Sequence, residues 1–322
     1  MTNLLITELF KLIHKKSIYI ILIILEIFII INNIIIYKDS KNNDKDYLEK
    51  AQTIYEEYKD IKEDSNYSYQ EKIDYIEKEK ALNISKYILD TKQNINKSNT
   101  LNYQLRTVLE DYELFIVLLI IIISSTIYAE EYHKGTIKLL LIKPYKRYKI
   151  IISKFLSCLI ILLASILILV LFQLLTSFIF FDISSLSQKV VIYNYQKSTI
   201  LCYNIFIYML IRIISKLPML IFIILLALFI SIITTSSTLT IVLTILIYIF
   251  TNVINNLAID HSIKIMRYLP MTNWNFTEYL FGNYPKFEYI NLPFSIIIMI
   301  IYTILIIILT LLIFNNKDIK NI

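Results

Sequence analysis

The chain has 322 residues, of which 57% are hydrophobic and only 18% charged, against about 45–50% apolar content in soluble globular domains. Two glycines cannot supply the turns of a β-barrel, so the composition points to an α-helical membrane protein. The net charge of +6 falls on lysine-rich loops, where it reads as topology and not as a nucleic-acid surface. Cys158 lies inside an apolar run and Cys202 near the start of a later one, and His14, His133 and His261 are scattered. None of these has the spacing of a disulfide framework or a metal site.

Residues 1–16 open the chain as an interfacial helix, with Leu4, Leu5, Leu9, Leu12 and Ile13 on one side and Glu8, Lys11, Lys15 and Lys16 on the other. Residues 17–36 form the first span. The apolar run from Ile18 to Ile36 is too long for a cleaved signal peptide and lacks a small-residue cleavage site. Glu26 sits near its middle, where a carboxylate costs several kcal/mol unless paired, protonated or wet. Two readings stay open for it: a group on a substrate path, or a protonated side chain bonded to a neighbouring helix.

Residues 37–112 switch to a charged helical composition. Tyr47, Ala51, Ile54, Tyr58 and Ile61 make a short heptad stripe, Ser65 and Asn66 break it, and Ser68 with Glu71 forms a capping box before a second stripe at Ile73 and Ile76. This predicts a helical hairpin outside the membrane whose mixed charges describe a solvated stalk.

Residues 113–322 hold five further spans. Leu114 to Tyr128 forms the second, continuing as helix past Ser124, Ser125 and Thr126 into the cytoplasm. The loop 129–150 follows, with Glu130 and Glu131 upstream and Lys134, Lys138, Lys143, Lys146, Arg147, Lys149 and Lys154 around its helix. Gly135 can take the positive φ that ends a helix, Thr136 can cap a new one with Ile137, Leu140 and Leu141 as its apolar face, and Pro144 stops it. Ile150 to Phe181 is the third span, and Asp182 to Thr199 is polar. Ile200 to Ile214, broken by Arg212 and Lys216, predicts an interfacial helix leading to Pro218 and a fourth span over Met219–Ile233. Thr234 to Thr238 is a polar turn, and Leu239 to Ile254 is the fifth span. The outer loop 255–292 carries Trp274, Phe276, Tyr279, Phe281, Tyr284, Phe287 and Tyr289, which read as an interfacial aromatic belt with short helices dipping back. Phe294 to Phe314 is the sixth span. The expected fold class is therefore all-α: a polytopic integral membrane protein of six transmembrane helices with an extracellular helical hairpin between the first two. The basic clusters put both termini in the cytoplasm and the protein in the cell membrane.

No glycine-rich phosphate loop, nucleophile elbow or zinc-protease helix is present, so the chain is not expected to be an enzyme or to hydrolyse nucleotide itself. The run from Glu131 through Gly135, Thr136, Leu139 and Leu140 to Pro144 and Arg147 resembles the membrane subunit of the ABC type-2 permease family, as does Ser231 with the following Thr/Ser turn. That resemblance implies a half-transporter: a homodimer or heterodimer of membrane subunits embedded in lipid, with separate cytosolic ABC ATPase subunits that bring ATP and Mg, no cofactor on this chain, and no nucleic acid. It makes 136–142 a coupling helix. Glu130, Glu131, Gly135, Thr136, Lys138, Leu139, Leu140, Pro144 and Arg147 would dock the ATPase, flanked by Glu8 and Lys11. Glu26, Asn32, Gln173 and Asn252 are intramembrane polar candidates for the path of an exported peptide, lipid-like or antibiotic substrate. The competing expectation is a sensor or scaffold that recruits a cytosolic regulator without transport.

Overall fold

The computed structural model describes every residue except 40–45, 65, 66, 96, 143, 144, 261, 262, 286, 288, 289 and 318–322; the side chains of 140, 141, 184, 252 and 260 also lie outside the description. An amphipathic helix α1 (Thr2–Ile13) leads into α2 (Lys16–Asp39). Then come α3 (Tyr47–Tyr58), α4 (Tyr69–Thr91) and α5 (Leu101–Asp111), followed by α6 (Glu113–His133), the short α7 (Thr136–Ile142) and the long α8 (Arg147–Phe180). A two-stranded sheet of β1 (Val190–Asn194) and β2 (Thr199–Tyr203) precedes α9 (Ile205–Thr234) and α10 (Ser237–Asp260). The four-residue helices α11 (Pro270–Asn273) and α12 (Thr277–Leu280) lead to α13 (Leu292–Asn316).

Six of these helices, α2, α6, α8, α9, α10 and α13, are long and apolar enough to cross a membrane, and the chain is a multi-pass helical membrane protein. Apolar on all sides, α6 takes the centre, packed against α9, α10, α8 and α2. By contrast α2, α10 and α13 keep outward rows such as Ile20, Ile23, Ile27 and Ile31, and Ile297, Ile300, Ile304 and Ile308. Such rows suit hydrocarbon, which rewards no burial of Ile. The bundle has two dissimilar ends. One gathers α1, α7, the turn at residues 234–237 and the end of α13; the other carries α3, α4, α5, the sheet, α11 and α12.

Local chemistry explains the boundaries. The capping box forms, with Ser68 N–H donating to Glu71 Oε2 (2.7 Å) and Glu71 N–H to Ser68 Oγ (3.4 Å), which holds the Glu71 carboxyl below its ordinary range. The α3–α4 hairpin buries Ala51 and Ile76 from the two expected stripes, although α3 ends at Tyr58, short of Ile61. The expected break at Ser65 and Asn66 falls outside the described residues.

Four expectations need correction. The segment 37–112 is more than a hairpin, because α5 lies back on the bundle and buries Leu101, Leu105, Val108 and Leu109 against α8 and α9. The stretch around 182–203 is not a polar loop running into an apolar helix. Val190 to Asn194 forms β1, paired antiparallel with β2 from Val190↔Tyr203 to Asn194↔Thr199, a two-stranded addition to an otherwise helical fold. Pro218 does not divide an interfacial helix from a span. α9 runs through it, and the Ser215 carbonyl beside the break accepts the Phe276 N–H (3.3 Å), offsetting part of a cost of about 3 kcal/mol. Finally, α10 extends to Asp260, and the aromatic residues after it include core and not only membrane edge. Trp274 and Phe281 are buried, Phe281 stacking on Tyr208 (4.9 Å) and Trp274 meeting Phe222 edge-on (6.3 Å).

Gly282 locks this loop to the sheet. Its φ is +70°, its carbonyl accepts the Tyr195 N–H (2.9 Å), and a Cβ there would lie 2.0 Å from Asn194 Nδ2. Gly282→Ala should cost about 2 kcal/mol or more from the backbone conformation and the clash together. Thermal unfolding in detergent should register a drop of several degrees, and an unchanged midpoint would contradict this packing.

Candidate functional site

At the α1–α7 end, α6 finishes with Lys134 N–H donating to the Glu130 carbonyl (2.9 Å) and Gly135 N–H to the Tyr132 carbonyl (3.1 Å). Gly135 has φ +68° with open space around its Cβ position, so backbone conformation alone calls for glycine. The chain then turns into α7. Thr136 is the first helical residue and not the cap; its hydroxyl donates back to the Glu131 carbonyl (3.4 Å).

α7 has two unlike sides. Ile137 is fully buried among Tyr128, Ile151, Ile232 and Phe314. Leu139 and Ile142 point out, 63% and 80% exposed, and Lys138 is half-buried. The expected outward face of Ile137, Leu140 and Leu141 is therefore corrected at Ile137, which anchors the helix to its own bundle. Leu140 and Leu141 lie in α7 with their side chains outside the described residues, as Pro144 does entirely. Arg147 points away from α7 and caps α13: its Nη1 donates to the Asn315 (2.6 Å) and Phe314 (3.2 Å) carbonyls, where a cation also meets the negative end of the helix dipole.

Beneath α7 lies a closed ring of four charges. Lys154 Nζ donates to Glu8 Oε2 (2.9 Å), Glu131 Oε2 (2.6 Å) and the Ile127 carbonyl (3.1 Å), using all three ammonium hydrogens. Lys11 Nζ reaches Glu8 Oε1 (3.0 Å) and Glu131 Oε1 (2.6 Å) from the other side. The Lys154 side chain is 0% exposed and Glu8 1%, so every carboxylate oxygen of the ring is paired in a low-dielectric setting. Burial works against the Lys11 charge, but the Glu131 and Glu8 carboxylates outweigh it and hold its ammonium above the ordinary value. Lys15 adds an outer strut to Glu130 (2.9 Å) and Thr126 (2.7 Å).

Three elements are thereby clamped together: α1 through Glu8 and Lys11, α6 through Glu131, and α8 through Lys154. Glu8 and Glu131 face inward, so they hold the loop's base and do not present themselves to a partner. Lys154, expected among the basic residues around the short helix, is instead buried in the ring. The available signal was a lysine seven residues into α8 among Ile150, Ile151, Phe155 and Leu156, too deep for a loop charge.

The four polar path candidates separate. Glu26 is half-buried, with no hydrogen bond or ion pair among the described residues. Asn32 donates to the Tyr112 hydroxyl (3.1 Å). Gln173 is buried in a network with Asn33 (3.2 Å), Ser177 (3.2 Å) and Gln104 (3.4 Å), Asn33 in turn donating to Thr176 (3.0 Å). That network joins α2, α5 and α8 and gives Gln173 a packing role. The side chain of Asn252 lies outside the described residues.

These features define a polytopic helical membrane protein with a short helix seated through Ile137 at the end of the bundle where four charges join α1, α6 and α8. The chain belongs to the family described as "Protein of unknown function (DUF2705)", whose profile matches residues 72–320 and so spans α7, Glu131 and Lys154. It is also similar to a Bacillus subtilis (strain 168) protein described as "Uncharacterized protein YhcI", 26% identical over 201 residues. That match covers 62% of this chain and 64% of the relative. No solved structure matches.

Proposed function

We propose that this chain is the membrane-spanning subunit of an ATP-driven exporter of the ABC type-2 permease kind. The observation that carries the reading is α7: a helix held by Ile137 on the inside, showing Leu139 and Ile142 on the outside, and clamped at its root by the ring of Glu8, Lys11, Glu131 and Lys154. An apolar pair rimmed by Lys134 and Lys138 is a fitting plug for a cleft on a cytosolic ATPase. The partner binds ATP and Mg. Its closure pushes α7, and the ring passes the displacement to α1 and α8 together because the buried Glu8, Glu131 and Lys154 cannot separate from one another cheaply. Two such chains, identical or different, would enclose the path of a peptide, lipid-like or antibiotic substrate. The test is purification from membranes in mild detergent: an ATPase that comes with the chain supports the reading, and a chain isolated alone that still transports in sealed vesicles without nucleotide refutes it.

This reading places the α7 end in the cytoplasm and the hairpin end outside. Cys202 is exposed at the hairpin end and Cys158 is buried in α8. A membrane-impermeant maleimide should therefore label Cys202 on intact cells, with Cys202→Ser abolishing the signal; labelling only after permeabilisation would invert the topology.

A sensor or scaffold is the second reading, favoured by a cavity of about 610 Å³ between α3, α4, Asn94 and residues 97–99 with room for a signal molecule. A kinase in place of the ATPase in the same purification would select it.

A further inference from the structure

A second cavity, of about 570 Å³, opens at the hairpin end between α4, α5, β1, α9 and α12. Its charged wall carries four cations from three helices, Lys80 on α4, Arg106 on α5, and Arg212 and Lys216 on α9, against two carboxylates, Glu110 on α5 and Glu278 on α12. Arg212 pairs with Glu110, also on the wall, and Lys216 with Glu113. Lys80 and Arg106 make no ion pair among the described residues, and the Nε of Arg212 is buried without a hydrogen-bond partner. The aromatic floor holds the guanidinium groups in place. Arg212 lies 5.6 Å from the ring centres of both Tyr208 and Phe281, and Arg106 lies 4.9 Å from that of Tyr103.

Two cations without an ion pair, Lys80 and Arg106, lining one space beside the Arg212 guanidinium are a receptor for a group of about two negative charges with several acceptor oxygens. A single carboxylate would match only one of the two. The position adds a constraint. From Lys216 to the end of α9 at Thr234 the helix rises about 27 Å, close to the thickness of a bilayer's hydrocarbon core, so the cavity stands at headgroup height. We infer that this cavity binds a phosphate-bearing ligand, with Lys80, Arg106 and Arg212 as its phosphate contacts. The site uses no residue of the charge ring and stands whether or not ATP drives the protein.

The test uses the full chain in phosphatidylcholine nanodiscs with and without phosphatidic acid, read by native mass spectrometry, and inorganic pyrophosphate as a soluble competitor. The wild type should retain phosphatidic acid over phosphatidylcholine, and Lys80→Gln with Arg106→Gln should reduce that retention about tenfold or more at an unchanged melting temperature. Glu110→Gln removes a competing carboxylate and should raise it several-fold. Retention of phosphatidic acid that pyrophosphate does not displace makes the ligand lipid-borne; direct binding of pyrophosphate that the double variant loses makes it a soluble phosphate. Either result supports the site. Retention equal in wild type and both variants, or no preference for either phosphate probe, overturns it.

Discussion

Lys154→Ala should destabilise the protein by about 3–5 kcal/mol, the largest loss expected of any single substitution here. The change removes only one side chain, but it leaves Glu8 and Glu131 facing each other with half of their oxygens unpaired. Lys11 cannot compensate, since its ammonium already engages the other oxygen of each. The Ile127 carbonyl also loses its bond to the lysine. The effect depends on the orphaned charges and not on lost attraction, so it should be strongly non-additive. Lys154→Met combined with Glu131→Leu leaves the Lys11–Glu8 pair balanced and should recover much of the deficit. Thermal unfolding in detergent measures both. A double variant as unstable as the sum of its singles would mean that the four groups act independently and that the ring transmits nothing.

Leu139→Asp and Ile142→Asp should leave the fold intact and abolish association with the proposed ATPase partner. Both side chains are mostly exposed in the isolated chain, so a carboxylate there meets water until a partner covers it. Once covered, an unpaired charge at an apolar contact costs several kcal/mol, which is a loss of association of a hundredfold or more. Ile137→Asp is the control with the opposite signature: it places a charge among Tyr128, Ile151 and Phe314 and should lower the melting temperature sharply. Copurification and melting together separate the two faces of α7. Leu139→Asp that still brings down the ATPase would end the docking assignment.

What could be read from the chain beforehand divides by sequence distance. The six apolar helices, the Ser68–Glu71 cap and the turn at Gly135 depend on residues within one or two turns of each other, and such signals survive in any tertiary setting. The orientation of α7 does not. Ile137 and the run Leu139–Ile142 surround so short a helix with apolar side chains, and the choice of Ile137 as anchor is made by Phe314 at the far end of the chain. The charge ring is of the same kind, since Glu8 and Lys154 are joined across 146 positions. Nor could the sheet be read in advance. β1 is short, and it is held from outside by α4, where the Tyr193 hydroxyl donates to Glu79 Oε1 (2.7 Å), and by Gly282. The continuity of α9 through Pro218 likewise depends on a donor, Phe276, that comes from a later loop.

The length of α8 has a mechanical result. At 1.5 Å per residue its 34 residues form a rod of about 51 Å, well beyond the thickness of a bilayer core. Two of the polar fastenings on it, Lys154 toward one extremity and Gln173 toward the other, are about 29 Å apart. If the rod pivots about Lys154, a tilt of about 10° carries Gln173 sideways by about 5 Å. Gln173 bonds to Gln104 on α5, and two residues further along α5 stands Arg106. A seesaw of that size would widen or pinch the cationic hollow from the opposite face of the membrane, with no bond inside the rod itself having to break.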